Sequence, residues 1–362
     1  MLDVAKVSEI AAAVEKLAPV ALAEKWDNCG LQVGDLEAEV RSVLVALTPL
    51  PEVFEEAREK RTDFLLFHHP LIFTPIKNVE TSSYPGDLLA HAIRENRAVY
   101  AAHTSYDAAP NGVSVALAEA LGLERSSELV SPRGALCKLV IFVPPTNVDD
   151  VADALDEAGA GVIGEYTHCT FRSPGTGTFL GGADSTPYLG EQGRLEKVEE
   201  IKLETIVPSH LIQEAVAAAV KAHPYEEAAL DVYPIEGRPD GCGYGRIGHL
   251  PQPMTAEEFQ YHVSDSLGFP ARLVSEPHSR SIERVAVLGG SGGSFVQEVA
   301  ARGADVYVTG DLSYHDALLA ESLGLVAVDA GHAATELPSL SPLATRLAEL
   351  VDVPVEVSRV RR

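Results

Sequence analysis

The chain has 362 residues, of which 46% are hydrophobic and 22% are charged, a composition typical of a globular protein of about two domains. Its 53 acidic residues outnumber its 28 basic residues and give a formal net charge of −25. Such a surface repels nucleic-acid phosphates, so nucleic-acid binding is the least favoured of the functions considered, unless an internal cavity is locally basic.

No apolar run approaches the roughly 18 residues that a membrane span requires. The N-terminal segment lacks the basic and apolar regions of a signal peptide, so we expect a cytoplasmic protein. The cysteines are widely scattered and form no C-x-x-C pair, which excludes a zinc ribbon and argues against a disulfide framework. We expect buried free thiols at Cys29, Cys137, Cys169 and Cys242.

The first third of the chain alternates predicted helices and strands. An amphipathic helix is expected near the N-terminus, followed by strands at 40–47, 63–69 and 98–104 and helices at 51–61, 86–96 and 111–123. Asn111 is the expected N-cap of the last of these helices. Strands that alternate with helices of about ten residues indicate a mostly parallel sheet covered by helices.

The middle third has a different order of elements. The predicted strands are 137–144, a glycine-rich stretch at 168–182, 195–208 and 229–235, and the predicted helices are 148–160 and 209–223. This β-α-β-β-α-β order is typical of a ferredoxin-like fold. We therefore predict that residues 134–237 form a domain inserted into the α/β unit.

The last third returns to the alternation of strands and helices. Strands are predicted at 284–290, 305–311 and 325–331, and helices at 294–304, 312–324 and 332–351. Residues 1–133 and 238–362 are therefore predicted to be the two parts of one α/β core. The predicted fold class is α/β, with mostly parallel sheets interrupted by the ferredoxin-like insert.

Imidazole and carboxylate groups follow four of the predicted strands, where ligands bind in parallel α/β sheets. They are His68 and His69, His103 and Asp107, Asp311 and His315, and His332 and Glu336. Since they are four residues apart on a starting helix, His332 and Glu336 project from one face. Such ligands suit zinc, iron(II) or manganese, and a carboxylate such as Glu336 or Asp107 can bridge two ions. The pattern predicts a dinuclear metal site.

Each of these features has a simpler interpretation. A single histidine at a strand end is more often an ordinary hydrogen-bonded residue, and we assign His91, His210, His262 and His278 to that class. The turn formed by Gly290, Ser291, Gly292 and Gly293 can cradle a phosphate through its backbone N–H groups, or it can let a helix pack closely. The chain has no dinucleotide-binding or Walker motif and no G-x-S-x-G elbow, so both interpretations of the turn stay open.

Six segments together resemble the NIF3-like family, whose members are often labelled GTP cyclohydrolase 1 type 2 homologues. They are WDNCGLQVG (26–34), FHHPLIF (67–73), HTSYD (103–107), GGSGGSF (289–295), TGDLSYHDAL (309–318) and GHAATE (331–336). In the insert, PGTGTF and HPYEEAALDVYPI resemble the PII/CutA-like domain of longer family members. Ser105 and Tyr106 depart from the more usual Asn-Leu pair, which concerns the pocket lining only.

The resemblance implies a dinuclear site for two divalent ions, zinc, iron or manganese. Its implied ligands are His68, His69, Asp107, His332 and Glu336. The resemblance also implies that His103 and His315 line the cleft and that Asp27 belongs to a further family motif. Family members assemble as toroidal homohexamers, trimers of dimers, so the same assembly is expected here.

Two functions follow from these expectations. The first is a metal-dependent hydrolase that uses metal-activated water on a nucleotide, as in ring opening of GTP, or on a phosphoester. His103 or His315 would relay protons, and the glycine-rich turn would hold the triphosphate. The alternative is a non-catalytic metal-binding or regulatory protein whose insert senses a small ligand. Extra histidines beside the ligands favour catalysis, because a storage site needs no proton relay.

Overall fold

The structure, a computed structural model, describes residues 4–130, 136–163, 166–235, 241–275 and 281–362. The chain divides into two compact units. Unit 1 comprises residues 1–132 and 241–362, and unit 2 comprises residues 133–240. The ends of the predicted insert, at 134 and 237, lie outside the described residues, so these boundaries stay predictions.

Helices and strands alternate through most of the described chain. The α-helices are α1 Val7–Leu17, α2 Pro51–Lys60, α3 Gly86–Arg94, α4 Thr104–Asp107, α5 Val113–Ala120, α6 Val148–Glu157, α7 Ile212–Ala222, α8 Ala256–Leu267, α9 Val296–Ala301, α10 Tyr314–Ser322, α11 His332–Glu336 and α12 Leu340–Ala348. The strands are β1 Ala5–Lys6, β2 Gly30–Val33, β3 Glu39–Val40, β4 Val43–Ala46, β5 Phe64–Phe67, β6 Ala98–Ala101, β7 Glu124–Val130, β8 Leu136–Val143, β9 Thr170–Leu180, β10 Leu195–Pro208, β11 Leu230–Ile235, β12 Tyr244–Met254, β13 Arg272–Leu273, β14 Ile282–Ser291, β15 Val306–Gly310, β16 Val326–Asp329 and β17 Val355–Val357.

A five-stranded sheet in unit 1 has the order β17-β4-β5-β6-β2. Its strands pair in parallel except for β2, which is antiparallel to β6. In β5, Phe64 and Leu66 belong to one hydrophobic cluster, whereas Leu65 and Phe67 belong to another. Because both faces of the sheet are covered, the strand is apolar throughout rather than alternating.

A six-stranded sheet in unit 1 has the order β13-β16-β15-β14-β12-β7. Only β14, β15 and β16 pair in parallel, and the other pairings are antiparallel. The prediction of mostly parallel sheets is therefore wrong for this sheet. The difference comes from β7, β12 and β13, which were not among the predicted elements; β7 and β12 flank unit 2 and pair directly with each other.

The predicted N-cap of α5 is also wrong, because the helix begins at Val113 with Gly112 as its N-cap. A Cβ on Gly112 would lie 1.8 Å from the Tyr106 carbonyl oxygen, so only glycine fits this close approach of two backbone segments. The predicted strand at 40–47 is divided into β3, which pairs with β1, and β4.

In unit 2 the strands have the order β11-β8-β10-β9 and pair antiparallel throughout. Residues of α6 and α7 share one hydrophobic cluster with β8 and β10, including Val151, Ala215, Leu139 and Leu203. Each helix thus buries its apolar side against the same sheet. No helix of the described residues in either unit has the length and apolar character to cross a membrane.

Candidate metal centre

Two adjacent parallel strands carry the first part of the centre. His68 and His69 directly follow β5, and His103 lies two residues after the end of β6. The backbone N–H of His69 donates to the carbonyl of Leu47 at 2.8 Å. The backbone pairing between β4 and β5 therefore continues past the ends of both strands. Asp107 ends the single turn α4, which begins after His103. Because parallel strands end at the same edge, these side chains meet there.

The six-stranded sheet supplies the second part of the centre. Asp311 follows β15, and α11 begins at His332, three residues after β16 ends. Gly331 precedes the helix with a φ of +85°, a conformation that suits glycine. The helix places His332 and Glu336 one turn apart, with the Glu336 carboxylate buried and only 2% of the residue exposed.

Imidazoles from both sheets converge on Glu336. Its Oε1 lies 3.1 Å from His332 Nε2 and 3.5 Å from His68 Nε2, and its Oε2 lies 3.1 Å from His69 Nε2. Asp107 Oδ1 lies 3.6 Å from His68 Nε2. Among the described residues, His68 Nε2 and Glu336 Oε2 are buried, and in spite of these contacts neither makes a hydrogen bond of good geometry. Buried nitrogen and oxygen atoms whose hydrogen bonding is not satisfied are expected where a cation binds.

The four histidines of the centre are all held through Nδ1, and Nε2 of His68, His69 and His332 faces Glu336. The partners are the Ala102 carbonyl for His68 (2.9 Å), the Thr48 hydroxyl for His69 (3.0 Å), the Asp27 carboxylate for His103 (3.0 Å) and the Asp311 carboxylate for His332 (2.6 Å). Metal-binding histidines generally have such a partner on the second ring nitrogen, which fixes the tautomer and the ring orientation.

The charges of the centre shift its pKa values. Burial opposes protonation of His68, but Asp107 and Glu336 raise its pKa to about 9. The hydrogen bond to Glu336 raises the pKa of His332 to about 9, whereas burial lowers that of His69. Burial raises the pKa of Asp107 to about 6. Although burial favours the neutral form of Glu336, the imidazoles hold its pKa well below its ordinary value. A metal ion that binds here releases protons.

The donor set fits divalent metal ions. Two overlapping groups, His68 with His69 and His103, and His69 with His332 and Glu336, each have ligand atoms within 4.8 Å of one another. A mixture of imidazole and carboxylate without thiolate suits zinc, iron or manganese. The five predicted ligands thus lie together, although their role as ligands stays a prediction.

Of the two predicted catalytic histidines, only His103 lies in this cluster. Its ring centroid lies 5.2 Å from that of His68 and 5.6 Å from that of His69. His315 is exposed at the start of α10, and its ring packs edge-on against Tyr314. The structure therefore does not bring His315 into the cluster formed by the described ligands.

The glycine-rich turn lies against the centre, at the end of β14. An added Cβ would lie 2.6 Å from Glu336 Oε1 at Gly290, 2.2 Å from Thr309 Oγ1 at Gly292 and 2.5 Å from Asp316 Oδ2 at Gly293. Close packing alone therefore accounts for these glycines. The Asp316 carboxylate beside Gly293 disfavours a phosphate at that end of the turn, and the phosphate cradle at Gly290–Gly293 stays a prediction.

The orienting roles of Asp27 and Asp311 were not predicted from the sequence. Asp27 is separated from His103 by 76 positions, and its side chain is fully buried. Its carboxylate also accepts hydrogen bonds from the Thr104 backbone N–H and hydroxyl and from the Cys29 thiol. Burial opposes ionisation, yet these donors hold the pKa of Asp27 below its ordinary value. The signal available in the sequence was the position of Asp311 at a strand end and of Asp27 in the WDN segment.

Known proteins resemble the chain over nearly its whole length. A family model described as Duf34/NIF3 (NGG1p interacting factor 3) matches residues 5–362. A Bacillus subtilis protein named GTP cyclohydrolase 1 type 2 homolog is 43% identical over 326 residues, which are 89% of this chain and 87% of the relative. A Mycobacterium tuberculosis protein of the same name is 38% identical over 341 residues, 92% of this chain and 89% of the relative.

Solved structures give the same result. The crystal structure of a Bacillus cereus protein related to NIF3 matches with a TM-score of 0.83 and 41% identity, covering 98% of this chain and 97% of that one. A crystal structure of a Staphylococcus aureus protein matches with a TM-score of 0.78 and 31% identity, with the same coverage of both chains.

Proposed function

The chain belongs to the Duf34/NIF3 family, and we propose that it is a metal-dependent hydrolase acting on a nucleotide or phosphoester. The observation that carries the proposal is the convergence of three imidazoles from two sheets on the buried Glu336 carboxylate. Each imidazole is oriented through Nδ1, as metal-binding histidines are.

Two divalent ions, zinc, iron or manganese, would be held by His68, His69, Asp107, His332 and Glu336. When bound, such ions lower the pKa of a coordinated water and polarise the bond that is attacked. The buried Glu336 faces imidazoles through both oxygens, which suits a bridging role. Asp107 would complete the set on the His68 side.

We assign the proton relay to His103 rather than His315. The ionised Asp27 accepts a hydrogen bond from Nδ1 of His103 at 3.0 Å, which leaves Nε2 free to take or give a proton. Imidazole suits this task because its ordinary pKa lies close to neutral pH. His315 is exposed on α10, outside the cluster of described ligands.

The nucleotide substrate is proposed from the relatives, which are named GTP cyclohydrolase 1 type 2 homologs. Water activated at the centre would then open the imidazole ring of the guanine. A phosphoester remains the other substrate class, because the same centre suits both reactions.

A second candidate function is favoured by a cavity in unit 2. It has a volume of about 850 Å³, within the range of small-molecule sites. Its lining includes Tyr188, Tyr225 and the carboxylates of Glu200, Glu226 and Glu227, with no Lys, Arg or His among the described lining residues. We propose that unit 2 is a ferredoxin-like, PII/CutA-like insert and that its cavity, in a regulatory protein, takes a small ligand that is not an anion.

We also propose, from the family, that the protein is a homohexamer and is located in the cytoplasm. Six chains of 38.5 kDa would form the toroidal trimer of dimers. Light scattering after size exclusion tests this directly, since a mass of one or two chains contradicts it.

The hydrolase is tested by metal content and turnover on the same preparations. Wild type, Glu336→Gln and the exposed control Glu349→Gln are reloaded with zinc, iron or manganese and incubated with GTP and with simple phosphoesters. We expect about two ions per chain and turnover in wild type and the control, with both reduced in Glu336→Gln. Full loading without turnover on either class favours the regulatory function, and a wild type that binds no metal contradicts the centre itself.

A further inference from the structure

Two large aromatic side chains lie exposed beside the proposed centre. Trp26 is 62% exposed and Phe73 is 50% exposed. Their ring centroids lie 6.0 Å apart with an angle of 68° between the planes, so the two rings form a corner. Exposed aromatic residues that are adjacent and near a site often mark a binding surface.

His103 connects this corner to the metal centre. Its ring centroid lies 6.3 Å from that of Trp26 and 6.2 Å from that of Phe73, edge-on in both cases. The ring centroid of His103 also lies 5.2 Å from that of His68 and 5.6 Å from that of His69. A molecule resting on the corner would therefore lie against the residue that we assign to proton transfer.

Polar contacts tie together the two segments that carry the aromatic residues. The Asn28 amide donates to the Ile72 carbonyl at 2.6 Å, and the Ile72 N–H donates to Gln32 Oε1 at 2.9 Å. These bonds tie the segment of Trp26 to that of Phe73. Asp27 is anchored by its buried hydrogen bonds to Thr104. The backbone on which the two rings stand is thus fixed in advance, which reduces the entropy lost when a ligand binds.

We propose that Trp26 and Phe73 bind a planar aromatic or heteroaromatic ring of the substrate at the metal centre. One ring of the corner offers its face and the other its edge, the two arrangements that aromatic groups prefer. The proposal rests on the proposed function, because it selects a ring-bearing substrate such as a nucleotide over a simple phosphoester. Trp26 and Phe73 would be specificity residues, while the metal centre carries the chemistry.

The chain offers a direct probe, because Trp26 is its only tryptophan. The metal-loaded protein is titrated with GTP, with inorganic tripolyphosphate and with ribose 5-phosphate while tryptophan emission is recorded. We expect GTP to quench the tryptophan emission in a saturable way, and the other two compounds to leave it unchanged. Calorimetry should show Trp26→Ala losing affinity for GTP by roughly tenfold to hundredfold, with Trp26→Phe retaining most of it. Tyr261→Ala, which removes an exposed aromatic ring on α8, is the matched control and should bind GTP normally.

The outcomes separate the ring-binding corner from the hydrolase. Quenching by GTP without any turnover supports the corner and contradicts the hydrolase. Turnover of a phosphoester, with emission unchanged by GTP and equal GTP affinity in wild type and Trp26→Ala, contradicts the corner and leaves the hydrolase standing. Emission that is shielded from acrylamide in the absence of ligand also contradicts the corner, because Trp26 would then be covered by another copy of the chain.

Discussion

His69 Nε2 and His332 Nε2 lie 3.3 Å apart, although the two residues are separated by 263 positions in the chain. One follows a strand of the five-stranded sheet, and the other begins a helix beside the six-stranded sheet. Two imidazole nitrogens so close together must share a proton or face a common cation. A bound ion would therefore link the two sheets of unit 1.

Removal of metal should lower the thermal stability of the protein. A ligand present at about 100 to 1,000 times its dissociation constant stabilises the native state by about 3 to 4 kcal/mol. We expect a drop of several degrees in Tm on addition of a chelator, measured by differential scanning fluorimetry. The Tm of Glu336→Gln should fall less than that of wild type when the chelator is added. A metal-loaded wild type with the same Tm in both conditions contradicts the link between the sheets.

Asp311→Asn should weaken metal binding. The Asp311 carboxylate holds His332 Nδ1 at 2.6 Å, and loss of such a partner generally costs about 10- to 100-fold in metal affinity or activity. Competition with a chromophoric chelator measures the affinity. Asp265→Asn, an exposed change on α8, is the matched control. Equal metal affinities in the two variants would contradict a role for Asp311 in metal binding.

Asp27→Asn should reduce turnover more than metal content. The amide can no longer hold the Nδ1 proton of His103 as the ionised carboxylate does, so we expect kcat to fall by about 10- to 100-fold with bound metal nearly unchanged. Steady-state kinetics and elemental analysis together make the test, with the exposed Asp352→Asn as control. Parallel loss of metal and kcat would instead assign His103 to metal binding.

Gly292→Ala should destabilise unit 1. The new Cβ would meet the hydroxyl groups of Thr309 and Tyr307, each at 2.2 Å, and overpacking of this kind costs about 1–3 kcal/mol. Urea unfolding measures the change. Gly182→Ala, where the added Cβ has no neighbour within 4 Å among the described residues, should leave the midpoint unchanged.

Glu56→Gln should lower stability at neutral pH and have less effect in acid. Glu56 is 1% exposed and accepts hydrogen bonds from the Ser358 hydroxyl and the Arg359 N–H. Burial opposes ionisation, but these donors and Lys60 lower its pKa. The carboxylate therefore contributes stability above its unfolded pKa of about 4.3, and this contribution is lost as pH falls through the folded pKa.

The expected loss for Glu56→Gln at pH 7 is about 1–3 kcal/mol, measured by urea unfolding at several pH values. Glu59→Gln on the same helix is the control. Glu59 pairs with Arg359 in an exposed ion pair, which typically contributes less than about 1 kcal/mol. A difference between wild type and Glu56→Gln that grows as pH falls would contradict the assigned direction of the pKa shift.

The candidate site could be predicted from the sequence because its residues follow strands. The apolar run of β5 marked a strand buried on both faces, and the position of His68 and His69 at its end then indicated ligands. The contact between Asp27 and His103 was missed, because 76 positions separate the two residues and only the WDN segment marked Asp27. The antiparallel pairing of β12 with β7 and β14 was also missed, because pairing depends on contacts between distant segments that local periodicity does not encode.

The strand β17 forms the edge of the five-stranded sheet, where Val355 pairs with Val43 of β4. Until the ribosome has produced residues 355–357, the β4 edge has no partner, and an open edge strand invites pairing with other chains. Glu336 is also made late in synthesis. A chain that ends before residue 336 would therefore lack the central carboxylate and leave the β4 edge unpaired, so that such incomplete synthesis yields an aggregation-prone product without metal rather than a partly active one.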